Sequence, residues 1–98
     1  MENPILLVND FSASMPIADF MCVPANPRRK WLSFVNAGAN PVFIALDRPA
    51  TILTGIGPVI QYGSVLLDMV NTPFYGNVHI IASGGVSQVN IIEVYVRE

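Results

Sequence analysis

Apolar and polar residues alternate along most of this chain with a period of two, and Gly, Pro and Asn break the alternation at short intervals. That pattern predicts short strands joined by turns. No segment carries a capped 3.6-residue period, so no long helix is expected. Two apolar runs, Trp31 to Asn36 and Val42 to Leu46, are joined by the turn Asn36-Ala37-Gly38-Ala39-Asn40-Pro41. Gly38 and Asn40 tolerate positive φ there, and Pro41 can open a strand without disturbing its ladder. The two runs read as a hairpin, and the only tryptophan makes it the expected nucleus of a β core. Alternation places Trp31, Ser33 and Val35 on one face and Leu32 and Phe34 on the other. Trp31 is expected to be mostly buried, in the core or at a subunit seam.

Further along, residues 47 to 58 interrupt the pattern, Val59 to Tyr62 reads as a short strand, and Val65 to Val70 as an apolar strand containing Asp68. Asn71 to Gly76 is loop. Asn77 to Ala82, the turn Ser83-Gly84-Gly85 and Val86 to Val96 form the clearest hairpin pattern in the chain. In it Val78, Ile80 and Ala82 share a face opposite His79 and Ile81, and Val89, Ile91, Glu93 and Tyr95 alternate with Asn90, Ile92, Val94 and Val96.

Residues 1 to 28 differ from the rest. Pro4, Pro16, Pro24 and Pro27 forbid a long helix and keep the backbone extended, while Ile5, Leu6, Leu7, Val8, Phe11, Met15, Ile17, Phe20, Met21 and Val23 are too apolar for a solvated tail. Two places are open to this arm. It can pair as edge strands on its own core, Ile17 to Val23 being the best candidate, or cross to a neighbouring subunit by strand addition. The expected fold is all-β, a single small β-sandwich or jelly-roll-like barrel over residues 29–98 with an extended apolar N-terminal arm over 1–28.

Composition sharpens this. Charged residues are 12% of the chain, against about 25% for an ordinary soluble domain, while apolar residues are 52%. A 98-residue chain makes one domain with a large surface relative to its core, and five basic and seven acidic side chains cannot cover it. Much of the surface is therefore expected to be buried against other chains. No apolar run approaches the roughly 20 residues of a membrane-spanning helix. The start has an acidic head and a short apolar stretch, unlike a secretory signal, so use without Sec export is expected. The net charge of −2 gives no reason to expect a nucleic-acid or anionic-membrane partner.

Candidate chemistry is sparse. His79 is the single histidine and Cys22 the single cysteine, so a metal site would draw on scattered acids. The nearest constellation is His79 with Asp68 and Glu93; a satisfied surface or interface histidine is the simpler reading. Ser64 and Ser83 lack an elbow motif or an oxyanion loop, and Gly55-Ile56-Gly57 lacks the third glycine and the helix of a nucleotide-binding loop. Cys22 reads as a small apolar filler. Arg28, Arg29 and Lys30 before Trp31 suit a phosphate contact, but without a second basic patch they read better as a solvated strand opening over an oligomer seam. Trp31, Phe74 and Tyr75 with Asn71, Thr72 and Asn77 could make a shallow glycan surface; the same aromatics suit a subunit interface. No enzyme, cofactor or metal is expected. The expected interface residues are Ile5, Leu7, Phe11, Ile17 and Phe20 in the arm, and Trp31, Phe74 and Tyr75 beyond it.

From Trp31 onward the order of features resembles a group of small bacteriophage virion proteins. The resemblance is carried by the Asn-rich turn before Pro-Val-Phe-Ile-Ala-Leu (Asn36 to Leu46), Pro49 to Thr51, Gly55-Ile56, Gly63-Ser64 to Asp68, Ala82 to Gly85, and Val89 to Val94. It covers about two thirds of the chain. It implies an accessory structural role on the virion surface, as a capsid cement or decoration protein or a head or tail fibre part. Such a protein would be made in the host cytoplasm, assembled as a homotrimer, and would hold neighbouring major capsid proteins, here through the arm. A glycan-binding host-recognition module of a phage tail is the second reading, and a β-sandwich adhesion subunit outside phages the third.

Overall fold

A computed structural model describes residues 5–97; Pro4 and the rest of residues 1–4 of the expected arm, and Glu98, lie outside the described residues. These residues form β1 (Ile5–Asp10), β2 (Ala13–Met15), β3 (Phe20–Val23), β4 (Arg29–Asn36), β5 (Val42–Leu46), β6 (Ile56–Val59), β7 (Ser64–Asp68), β8 (Val78–Ala82) and β9 (Ser87–Arg97), with no helix among them. The chain is all-β, as its alternation requires. One antiparallel sheet runs β1-β9-β4-β7, with β2 also on β9; the other runs β3-β8-β5-β6.

The longest strand, β9, is the spine. From Ser87 to Arg97 it contains no Gly or Pro, and at about 3.3 Å per residue its eleven positions reach about 36 Å, most of the 51 Å long axis. Its Ile92–Arg97 end pairs with β1, its Ser87–Val89 end with β2, and its other edge with β4. Inward residues of both sheets, among them Leu32, Phe34, Val42, Ile44, Ile80 and Ile91, interdigitate as one core.

Both expected hairpins are corrected. β4 and β5 lie in different sheets, and so do β8 and β9. Leu32 and Phe34 meet Val42 and Ile44 across the core, so the two strands bury apolar side chains face to face where a hairpin would set them edge to edge. The turns between them are corners at which the chain changes sheet, and they are tied to each other. Buried Asn36 donates to the carbonyls of Asn40 and Val59, both at 2.8 Å, and accepts from Gly38 N and Ser87 Oγ. Asn40 Nδ2 donates to Val86 O at 2.9 Å, and Ser83 N to Pro41 O. A Cβ on Gly38 would lie 2.0 Å from Ser87 Oγ, so only glycine fits where the corners touch.

Smaller shifts follow from local chemistry. The strand expected at Val59 to Tyr62 forms earlier, as β6, because Tyr62 takes φ 66° in the turn that leads into β7. β7 ends at Asp68, whose carboxylate accepts from Val70 N and Asn71 Nδ2 and folds the next residues into a turn.

The arm beyond residue 4 folds onto its own core. β1 and β2 follow one edge of β9, β3 pairs with β8, and Met15, Cys22 and Val23 are buried among the core residues. The expected division after residue 28 thus falls within a continuous sandwich. Pro16 stands between β2 and β3, and Pro24 and Pro27 between β3 and β4, so the prolines punctuate the strands and leave their ladders intact.

Candidate functional site

The strongest polar constellation is structural. Arg29, expected as part of a solvated strand opening, is 1% exposed, and its Nε donates to equally buried Glu93 at 2.6 Å. Its Nη1 donates to the carbonyls of Phe74 and Gly76, and its Nη2 to Pro24 O at 3.0 Å. The second Glu93 oxygen accepts from Asn9 and Asn26 Nδ2 at 3.0 and 3.1 Å. The pair therefore ties together β1, the loop after β3, β4, the loop before β8, and β9. Its donors and acceptors are spent within the fold, and it offers nothing to a substrate. A signal for it was present, since an acid on the inward face of β9 beside Val89 and Ile91 demands a buried cation; Arg28 and Lys30 remain exposed on either side.

The suspected His79, Asp68 and Glu93 do not come together. Glu93 is in the Arg29 clamp, Asp68 closes β7, and His79 lies on the outer face of the other sheet with Nδ1 2.9 Å from Asp19. Asp19 also accepts from Ala50 N at 2.7 Å, and chiefly this bond, with His79 adding to it, holds its carboxyl below the ordinary range. Ser64 opens β7, and Ser83 sits on a sheet corner. Among the described residues no group of three or more His, Cys, Asp or Glu side chains could hold a metal ion. Cys22 donates to Val78 O, and burial pushes its thiol up to about 12.

What the strands do build is an apolar outer face on the five-stranded sheet. Register places Val8, Val94, Trp31 and Asp68 in one row across β1, β9, β4 and β7, and Asp10, Ile92, Ser33 and Leu66 in the next, with Leu6 beside Val96. Trp31, expected to be mostly buried, points outward and is 37% exposed, so its core placement is corrected. Beside it Trp31, Ser33, Leu66 and Asp68 line an open groove of about 370 Å³. Leu6, Val8 and Leu66 are each more than half exposed. β1 and β7 are the outer strands of this sheet.

The outer face of the second sheet is covered instead. Phe43 and Ala45 point away from the core, yet both are buried, Ala45 against the segment joining β5 to β6 near Thr54 and Gly55, and Phe43 with its ring beside Gly57 of β6. That segment forms an arch that lies close on β5 at Gly55 and is pinned through Ala50 N to Asp19, the partner of His79 on β8. Its tip carries Leu53, with φ 75° and 85% exposed.

The eight expected interface residues are divided by this geometry. Ile5 and Leu7 lie on β1, and Ile17 and Phe20 are exposed at the β3 edge on the same side of the sandwich. Trp31 is on the outer face, Phe11 and Phe74 pack against the core, and Tyr75 lies at one end beside Pro27, Arg28, Lys30 and Val96. The suspected glycan surface is not assembled as one platform. Phe74 turns inward, Asn71 and Thr72 bond Asp68, and Asn77 Oδ1 accepts from Ala25 N.

No protein-family model matches the chain, and no curated protein matches it. The likeness to virion proteins thus rests on the motifs alone. Among solved structures, a Bacillus endospore appendage protein, of a family of disulfide-linked pili, is similar in fold. It superposes with a TM-score of 0.55 at 12% identity, over 99% of this chain and 93% of that one. At that identity the likeness shows a shared fold.

Proposed function

We propose that this chain is a non-enzymatic structural subunit that assembles with copies of itself on a surface. The observation that carries the reading is the outer face of the five-stranded sheet. Val8, Leu6, Trp31 and Leu66 stand there exposed at and beside an edge strand, with no element of the described residues over them. An apolar edge and face of this kind is costly for a free monomer and suits a subunit whose surface is shared. The similar fold of a pilus-forming appendage supports self-assembly. The motifs from Asn36 to Val94 support a more particular role, a cement or decoration protein of a phage head, three copies to an assembly and bound to neighbouring major capsid proteins. Sedimentation of the purified chain tests the first statement, and a species of 10.6 kDa at micromolar concentration would remove it. Fractionation of particles tests the second, since a cement protein remains in many copies on DNA-filled heads lacking tails.

One observation favours a host-recognition module instead: Trp31 stands half-open beside the Ser33 hydroxyl and the Asp68 carboxylate, a combination that suits a sugar ring. Saturable quenching of Trp31 fluorescence by a glycan at unchanged oligomeric state would select that reading.

A further inference from the structure

The arch between β5 and β6 raises an apolar side chain at a place where the fold has no use for one. Leu53 makes no part of the core, is 85% exposed, and holds φ 75°, a left-handed conformation that a branched side chain disfavours. The tip is nevertheless braced. The Thr51 and Thr54 hydroxyls bond across it, and Ala50 is buried with its N–H on Asp19. Gly55, at φ 80°, brings the base so close to β5 that a Cβ would lie 2.4 Å from Ile44 O. Strain and exposure coincide at Leu53, above a base held at Ala50 and Gly55, with half-exposed Ile52 beside it and Arg48 flanking the same loop. A preorganised apolar projection is what binding favours, because little conformational freedom remains to be lost.

We propose that Leu53 of one copy inserts into the Trp31 groove of the next. The inference rests on the self-assembly reading and names its contact. The groove is lined by Trp31 and Leu66 and bordered by Asp68, so its chemistry complements an apolar tip flanked by Arg48. Asp68 uses its carboxylate to close the turn after β7, and the oxygens retain lone pairs for a guanidinium. Projection and groove lie on opposite outer faces of the sandwich, so the contact cannot be mutual within one pair. Each copy gives its projection to one neighbour and its groove to another, which generates a ring if the rotation closes and a filament if it does not.

The arrangement is tested by two full-length variants, Leu53→Asp, which spoils the projection, and Leu66→Asp, which spoils the groove. Each alone is expected to weaken association at least tenfold in sedimentation velocity. An equimolar mixture is expected to recover a complex that stops at two copies, because one good projection still meets one good groove. Leu53→Gly relieves the positive φ, so it is expected to weaken association while leaving the melting temperature unchanged or raised; loss of folding is thereby separated from loss of contact. Association as strong as wild type in either Asp variant, or a mixture that forms no pair, would overturn the contact. A wild-type chain that is itself monomeric would overturn the self-assembly reading instead.

Discussion

Arg29 and Glu93 show how one pair of residues can hold several segments. The salt bridge is buried, and the guanidinium also satisfies the carbonyls of Pro24, Phe74 and Gly76. Removing one partner leaves a buried charge and orphaned polar groups, so Arg29→Met is expected to cost about 3 to 5 kcal/mol in urea denaturation. Replacing both partners by apolar residues should not restore stability, because Asn9, Asn26 and the three carbonyls would still lose their bonds. Trp31 belongs to the other extreme. With its ring partly in water, Trp31→Ala should destabilise the isolated domain by only about 1 to 2 kcal/mol, below the 3 to 5 of a fully buried aromatic. A core-sized loss in thermal or urea unfolding of the monomer would contradict its place on the outer face. Sequence showed which residues share its side of β4, since Leu32 and Phe34 do face the core opposite Trp31 and Ser33. It could not show which side is the core, because both sides are apolar and only the position of the second sheet decides.

At the scale of elements, turn chemistry was legible and strand partnership was not. Asn36, Gly38 and Asn40 do make a turn, and Ser83 to Gly85 does make another, but each carries the chain between sheets. A corner and a hairpin draw on the same residues, so the distinction depends on tertiary bonds such as Ser87 Oγ to Asn36 Oδ1. The same reasoning changes what removal of the arm should do. Met15 is wholly buried and β2 pairs with β9, so deleting residues 1–16 opens the core, whereas deleting 1–10 removes β1, its ladder on β9 and the Asn9 bond but no fully buried side chain of the described residues. The shorter deletion is expected to keep a cooperative melt and the longer one to lose several kcal/mol, about the cost of emptying a core methionine site. Equal melting of the two would mean that β2 contributes nothing. A second element-level test concerns the arch. The Asp19 carboxyl is held low by Ala50 N and His79, so its contribution is present above the unfolded carboxyl pKa and is lost as pH falls through the lower folded value. The Ala50 amide resonance should therefore titrate with a midpoint below about 3.9, the ordinary Asp value, and not at all in Asp19→Asn.

Besides Ile17 and Phe20 at the β3 edge, the molecule presents apolar surface as a broad row along β1, β9, β4 and β7 and as a small strained tip on the opposite face. Together they explain why so few charges suffice for this composition, provided the surfaces are shared between chains. The similar appendage protein belongs to disulfide-linked pili, and here the two chains part in chemistry. Cys22 is this chain's only cysteine, lies 6% exposed between the sheets, and has a thiol pushed up to about 12 by burial. Almost none of it is thiolate at neutral pH, and the thiolate is the species that attacks a disulfide. Assembly of this chain is accordingly expected to be non-covalent. Oligomers seen by sedimentation should run as a single 10.6 kDa band on a denaturing gel without reductant, and reductant should not alter their size. Cys22→Ala should lower stability through a small cavity and leave association unchanged. A reductant-sensitive band of twice the mass would require β3 to lift from β8 and expose the sulfur, and would place the cohesion of the assembly in a covalent link, not in the apolar faces.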